Sequence, residues 1–305
     1  MLANFFEKTK PINSIVLGGL FCVFYLMAVL VSEEHVFTVF FVGKLFGLLL
    51  LHLLFLLLSG QNFIKFSVSN NNLYAALLMV LAYGMFPKAI QIDFSIAIAL
   101  AIVFFYRRIT SLIKKDNITS KLFDIGLLLG LAIPFFNWTI LYFLVVIIAV
   151  IIFTNYTIRK FILPLVGILV PSLFFFTYCY LTDAMPFFYK QYTFSIQFSN
   201  VLIDENWLSF IVLGVLAFFS LMVNFVRIIA VSNSYRLHYV ITLGMLFVGV
   251  VLIYMSPEKK GSELLLLFIP VSLLVGQLIE VLPRQWLKEV TLLCLALFAL
   301  VNFFL

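Results

Sequence analysis

Two basic side chains within one apolar run are the residues of this chain best placed to do chemistry. Lys44 lies in Val42-Gly43-Lys44-Leu45, and His52 follows in Leu51-His52-Leu53. On a helix this spacing gives about 80° of rotation and about 12 Å of rise, so both side chains could line one side. We predict that they bind a ligand, holding a phosphate or relaying a proton. The alternatives are that Lys44 reaches up to the headgroups and that His52 bonds to a nearby backbone group.

Two carboxylates precede this run and are the candidate catalytic residues. Glu33 and Glu34 stand together in a short polar break. A carboxylate there could act as a general base on a lipid-linked substrate at the membrane surface. The pair could equally be a solvated turn, and Glu34 could form an ion pair with Lys44.

Metal and cofactor motifs are missing from the sequence. Cys22, Cys179 and Cys294 each lie within an apolar run and do not have the spacing of metal ligands. There is no His-x-x-x-His pair, no phosphate-binding glycine loop and no Gly-x-Ser-x-Gly elbow. We therefore expect no metal and no cofactor.

The elements that must position these residues are transmembrane helices. Of the 305 residues, 65% are hydrophobic and 10% are charged, and the charges separate apolar runs of about 15 to 22 residues. The pattern predicts an all-α, polytopic transmembrane bundle of 10 or 11 helices with short loops, a single integral membrane domain over residues 1–305. The expected helices are roughly 13–32, 36–59, 72–87, 90–106, 122–136, 138–155, 162–181, 208–226, 239–255, 264–282 and 290–305.

The distribution of charge predicts the orientation. With the N-terminus in the cytoplasm, every second loop is basic, whereas the opposite loops carry most of the carboxylates. The net charge of +6 is therefore explained by topology, and no nucleic-acid partner is expected. The basic residues that carry this argument are Arg107, Arg108, Lys114, Lys115, Lys121, Arg159, Lys160, Arg227, Arg236, Arg284 and Lys288.

Two further segments suggest contacts. Residues 182–207 form the longest external loop, and its aromatic residues alternate with polar ones, which predicts an amphipathic segment lying in the headgroup layer. Gly126-Leu-Leu-Leu-Gly130 places two glycines one turn apart on a helix, which is typical of a helix-packing seam. Asp124 is expected at the start of that helix, where a carboxylate can cap it or complement its dipole.

The chain resembles a family of uncharacterised multispanning inner-membrane proteins of Gram-negative bacteria. This resemblance implies a multi-pass protein of the bacterial inner membrane and implies no particular activity. The matching stretches are Asn4-Phe5-Phe6, Lys10-Pro11-Ile12-Asn13, Tyr106-Arg107-Arg108-Ile109, Lys121-Leu122-Phe123-Asp124-Ile125-Gly126 and Leu163-Pro164-Leu165-Val166-Gly167.

A weaker similarity is to the membrane half of GT-C glycosyltransferases. A basic loop followed by an Asp- and Gly-containing helix, Arg107 through Ala132, is similar to theirs. Glu33 or Glu34 would match their acidic residue in the first external loop. This similarity implies a transferase that acts on a lipid-linked substrate at the external leaflet.

Three functions are therefore expected, in this order. The first is an integral component of a bacterial cell-envelope complex that acts through contacts with membrane lipid and membrane-protein partners. The second is a GT-C-like transferase or carrier for a polyprenyl-phosphate substrate, in which Lys44 and His52 would contact the phosphate. The third is a small transporter or channel.

Overall fold

The computed structural model describes residues 2–8, 10–31, 39–61, 72–90, 95–154, 157–194, 201–228, 233–255 and 264–302, and these residues contain helices and no strand. Three short 3-10 helices cover Pro87–Ile90, Ser111–Lys114 and Asn137–Tyr142. The α-helices are α1 (Leu2–Phe6), α2 (Pro11–Val31), α3 (Val39–Gln61), α4 (Tyr74–Met85), α5 (Ser95–Thr110), α6 (Ile118–Ala132), α7 (Phe143–Phe153), α8 (Ile158–Leu181), α9 (Met185–Tyr192), α10 (Val201–Ile228), α11 (Asn233–Met255), α12 (Leu264–Val281) and α13 (Gln285–Val301).

Within this described part, six helices are long and apolar enough to cross a membrane. The prediction of an all-helical membrane protein is therefore confirmed, while eleven spans and a cytoplasmic N-terminus stay predictions. The six segments are Pro11–Ala28, Ile96–Lys114, Ile158–Leu181, Trp207–Val226, Arg236–Met255 and Leu264–Val281. Shorter apolar helices cover Val42–Leu56, Tyr74–Met85 and Asn137–Phe153.

Several helix starts differ from those expected from hydropathy, and two of these differences change the role expected for a residue or segment. Helix α6 begins at Ile118 and not near residue 122, so Asp124 lies inside the helix, where it pairs with Arg108. Helix α10 begins at Val201, so residues 201–207 of the predicted external loop are helical. Both first turns carry polar residues, which hydropathy does not mark as helical even though they can extend a helix into the headgroup layer.

The chain divides into two compact units, each assembled from separate stretches. The first unit comprises Met1–Ile96, Asn200–Arg236 and Lys259–Leu305. The second unit comprises Ala97–Ser199 and Leu237–Glu258.

The core of the first unit consists of α4 and α12. All residues of α4 except Ala75 are buried, and α12 is buried from Leu264 to Ile279. A methyl group at Gly276 of α12 would lie 2.9 Å from the backbone nitrogen of Ala75, so the two backbones are nearly in contact. The 12 residues of α4 extend only about 18 Å. This length is too short for a bilayer, and it is tolerated because α4 is enclosed by protein.

Distant segments bond to the two ends of α4. At its start, the Tyr74 hydroxyl donates to the Ala3 carbonyl at 3.0 Å. At its end, the Met85 carbonyl accepts from Ser209 Oγ at 3.2 Å and from Asn302 Nδ2 at 2.6 Å. A helix leaves its last carbonyls without backbone partners, and these side chains supply them where water is excluded.

The second unit is organised by the crossing of α6 and α8. A methyl group at Gly126 would overlap the carbonyl oxygen of Pro164, and one at Gly130 would lie 2.7 Å from the carbonyl oxygen of Ile168. Gly167 of α8 meets the backbone of α6 equally closely, at Phe123. One helical turn along α6 thus corresponds to one turn along α8, so the two helices run parallel.

Candidate functional site

His52 lies in a buried aromatic cluster in the first unit, formed by Phe21, His52, Tyr83 and Phe268. Its side chain is 2% exposed. The imidazole stacks on the Phe21 ring, with centroids 5.9 Å apart and planes 7° from parallel. The Tyr83 ring meets Phe21 edge-on at 5.1 Å and Phe268 edge-on at 5.6 Å. Helices α2, α3, α4 and α12 each contribute one ring to this cluster.

The polar atoms of this cluster have no hydrogen-bond partner among the described residues. This holds for both ring nitrogens of His52 and for the hydroxyl of Tyr83. The expected bond between His52 and a nearby backbone group is therefore not formed in this part of the chain. Buried polar atoms are nearly always bonded, so these two side chains are the clearest place in the first unit for a polar ligand or a bound water.

Lys44, the other predicted ligand-binding residue, lies away from this cluster. Lys44 is half-buried and lies about 12 Å along α3 from His52. The imidazole stacks on Phe21 and is buried, whereas the Lys44 side chain is partly exposed. Glu33 and Glu34 lie outside the described residues.

One end of the second unit is strongly aromatic. We call this the aromatic end and define it as residues 174–180 of α8 together with α9. Phe188 of α9 packs against Phe176 of α8 at 5.3 Å and against Tyr192 at 4.6 Å. None of the residues of α9 is buried. The side chains of Phe174, Tyr178 and Tyr189 are 74%, 64% and 61% exposed.

The segment before α7 belongs to the same end. Trp138 meets Phe194 edge-on at 5.3 Å, and Asn137 Nδ2 donates to the Thr193 carbonyl at 2.6 Å. These contacts connect the residues following α9 to the 3-10 helix that follows α6. Sequence reasoning marked the loop as amphipathic but could not identify these partners.

Two ion pairs form where α5 is connected to α6, and sequence reasoning missed both. Arg108 pairs with Asp124, and Lys121 pairs with Asp116. The Lys121 ammonium also donates to the Ser111 carbonyl at 2.8 Å. Its hydrogen bond to Asp116 holds the pKa of that exposed carboxyl below its usual value, helped by a backbone hydrogen bond. Lys115 and Asn117 adopt positive φ angles of 54° and 45°, which turn the chain tightly enough to bring these groups together.

The comparisons with known proteins decide the family. A family model described as a family of unknown function, DUF6427, matches residues 1–305. The chain belongs to this family. No curated protein and no solved structure matches it. The residues that match the DUF6427 model include both the buried aromatic cluster and the aromatic end. The family has no assigned activity.

Proposed function

We propose that this protein is a non-enzymatic, integral component of a bacterial cell-envelope complex in the inner membrane. It acts through contacts with membrane-protein partners and with lipid. Its N-terminus lies in the cytoplasm, and about eleven helices cross or enter the bilayer. The observation that carries this proposal is the exposed aromatic end.

The geometry of α8 supports this assignment. Its 24 residues extend about 36 Å, which matches the hydrocarbon core plus an interfacial layer. Arg159 and Lys160 stand at its first turn, and the aromatic end stands at its other end. Because cytoplasmic loops are basic, the aromatic end lies at the external surface.

The composition of the aromatic end favours a protein contact as well as anchoring. Tyr178 and Tyr189 suit the headgroup layer, where one side of the ring is apolar and the other wet. Phe174, about two turns before the end of α8, adds a further large apolar ring to this surface and is 74% exposed. Large aromatic side chains dominate binding energy at protein interfaces, so we assign this surface to a partner protein.

Photo-crosslinking in living cells tests the proposal. A photoreactive phenylalanine analogue is placed singly at Phe174, Tyr178 and Tyr189. Leu165 and Leu169, which are also exposed on α8, serve as matched controls. We expect all three aromatic positions to give one protein adduct of the same mass and the leucine positions to give lipid adducts only. Lipid adducts alone at the aromatic end, or a solitary chain in native-membrane discs, would contradict the proposal.

The transferase alternative requires a phosphate to reach His52 and a carboxylate to act as base. The His52 imidazole is buried and stacks on the Phe21 ring, which favours the contact-based function. Replacing Glu33 and Glu34 together by glutamine tests the alternative in a deletion strain. We expect full complementation at normal abundance, and loss of complementation would support the enzyme instead.

Cysteine labelling tests the proposed orientation of the protein in the membrane. In a variant without Cys22, Cys179 and Cys294, single cysteines replace Lys115 and Tyr189. We expect a membrane-impermeant maleimide added to intact cells (with the outer membrane permeabilised) to label position 189 and to leave position 115 unlabelled until the inner membrane is opened. The reverse pattern would overturn the topology.

A further inference from the structure

The parallel crossing of α6 and α8 concentrates positive charge at one end of the second unit. Gly126 lies against Pro164, and Gly130 lies against Ile168. Continuing this register to the N-terminal turns places Arg159 level with Lys121. Helix α5 ends at Thr110, and the connector after it leads directly into α6, so its basic residues lie at this end too. We call this set the basic end: Arg107, Arg108, Lys114, Lys115, Lys121, Arg159 and Lys160.

In the described part of the second unit, two carboxylates form ion pairs at this end, and four of its cations have exposed side chains. Asp124 pairs with Arg108, and Asp116 pairs with Lys121. Exposed side chains at this end are those of Arg107, Lys114, Lys115 and Arg159. The charge of Lys114 also helps to lower the pKa of Asp116. Like charges this close repel one another, so the surface favours an anionic partner.

The placement of two of these cations is also unfavourable for their own helices. Lys121 lies in the first turn of α6, and Arg159 lies in the first turn of α8. Cations weaken a helix at its N-terminus, where the backbone dipole is already positive, and neither helix has an acidic residue in its first turn. Asp116 offsets this cost at Lys121, and an external anion would offset it at Arg159.

The surface beneath the charges indicates which anion binds. Ile158, beside Arg159, is 80% exposed, and Ile162 and Leu165 continue an exposed apolar strip along α8. Phe104 is likewise exposed one turn before Arg107. A ligand that fits this surface carries negative charge at one end and hydrocarbon at the other, which describes an anionic phospholipid.

We propose that the basic end binds anionic phospholipid, with Arg107, Lys115 and Arg159 contacting headgroup phosphate and the exposed strip of α8 contacting the acyl chains. This inference rests on the lipid contacts of the proposed function and names their chemistry at the opposite end of the second unit. It does not depend on a partner protein, so its failure would leave the proposed partner contact standing. Basic residues next to a membrane span attract anionic headgroups additively and within a Debye length. The contact would hold the second unit at a fixed depth in its leaflet.

Native mass spectrometry of the full-length protein in detergent tests this proposal. The probes are phosphatidylglycerol and phosphatidylcholine with identical acyl chains. We expect the wild type to bind phosphatidylglycerol more tightly by at least about tenfold, a preference that falls as salt is raised. The triple variant R107Q/K115Q/R159Q should lose this preference, while R107K/K115R/R159K, which keeps the charge, should retain it.

A second triple variant separates a local site from net charge. K8Q/K10Q/K190Q removes the same charge from exposed positions elsewhere and should bind phosphatidylglycerol like the wild type. Equal losses in both glutamine triples would overturn the proposal, as would an unchanged preference in R107Q/K115Q/R159Q. Displacement of the lipid by millimolar inorganic phosphate would assign the surface to free phosphate and overturn it as well. Thermal unfolding of each variant shows that its fold is intact.

Discussion

The imidazole of His52 lies parallel to the phenyl ring of Phe21, with their centroids 5.9 Å apart. Stacking contributes a modest attraction and satisfies neither ring nitrogen. Among the described residues no other group bonds to those nitrogens. His52 therefore adds packing area to α3 but contributes no hydrogen bond to the fold.

This relationship predicts the effect of replacing His52 with leucine. Removing a buried polar group that makes no hydrogen bond should not destabilise the protein and should stabilise it by about 1 kcal/mol. The measurement is chemical denaturation of the purified protein in detergent. Phe55→Ala, at a fully buried position of the same helix, is the control and should lose about 3–5 kcal/mol. A loss above about 1 kcal/mol in His52→Leu would mean that the imidazole does bond to something.

The close contact between α6 and α8 predicts that adding a single methyl group at Gly126 destabilises the protein. The new methyl group in Gly126→Ala would overlap the Pro164 carbonyl, so the helices must separate, at a cost of about 3 kcal/mol. Gly130→Ala should cost less, since its methyl group would lie 2.7 Å from the Ile168 carbonyl.

Two other helical glycines provide controls for the seam. Gly18 and Gly214 have no neighbouring atom within 4 Å of an added methyl group in the described part of the chain. Alanine at either position should be neutral or should stabilise by about 0.5–1 kcal/mol. Thermal unfolding in one detergent ranks all four variants. Similar melting temperatures for Gly126→Ala and Gly18→Ala would refute the close crossing.

Ser209 and Asn302 both donate to the Met85 carbonyl, which predicts that the effects of replacing them on stability are coupled. Ser209→Ala or Asn302→Ala alone leaves the carbonyl with one partner, so each should cost about 0.5–1.5 kcal/mol. The double variant leaves it with neither, and its loss should exceed the sum of the two by about 1 kcal/mol. A double-mutant cycle measures this coupling. Thr182→Ala, which removes an exposed side-chain bond to the Tyr178 carbonyl, should change stability by less than about 0.5 kcal/mol.

The Asp116–Lys121 pair predicts a pH dependence at acidic pH. Because the folded pKa of Asp116 is depressed, its contribution to stability is fully present above the ordinary aspartate pKa of about 3.9. That contribution is lost as pH falls through the lower folded value. The stability difference between wild type and Asp116→Asn should therefore be constant from pH 7 to 5 and should shrink below about pH 4. In a Lys121→Gln background the difference should become smaller, because only the backbone hydrogen bond and Lys114 then favour the carboxylate. An unchanged difference would assign the effect to another group.

The sequence alone was sufficient to predict an all-helical membrane protein, but not the bounds of its helices. Long apolar runs interrupted by charge predict membrane helices whatever their neighbours are. The spacing of Gly126 and Gly130 indicated a close approach between helices, because glycine leaves room on one face. This spacing did not identify α8 as the partner helix and did not show that the two helices run parallel.

Other features depended on tertiary structure, for a physical reason. Hydropathy is the same for a helix that faces lipid and one that faces protein, so the burial of α4 and α12 could not be read from composition. The groups bonded to the ends of α4 come from distant segments, 71 residues away at Tyr74 and 217 at Asn302. The sequence showed His52 as a polar residue in an apolar run. Only the tertiary structure showed that its ring stacks on Phe21 of α2 and is buried.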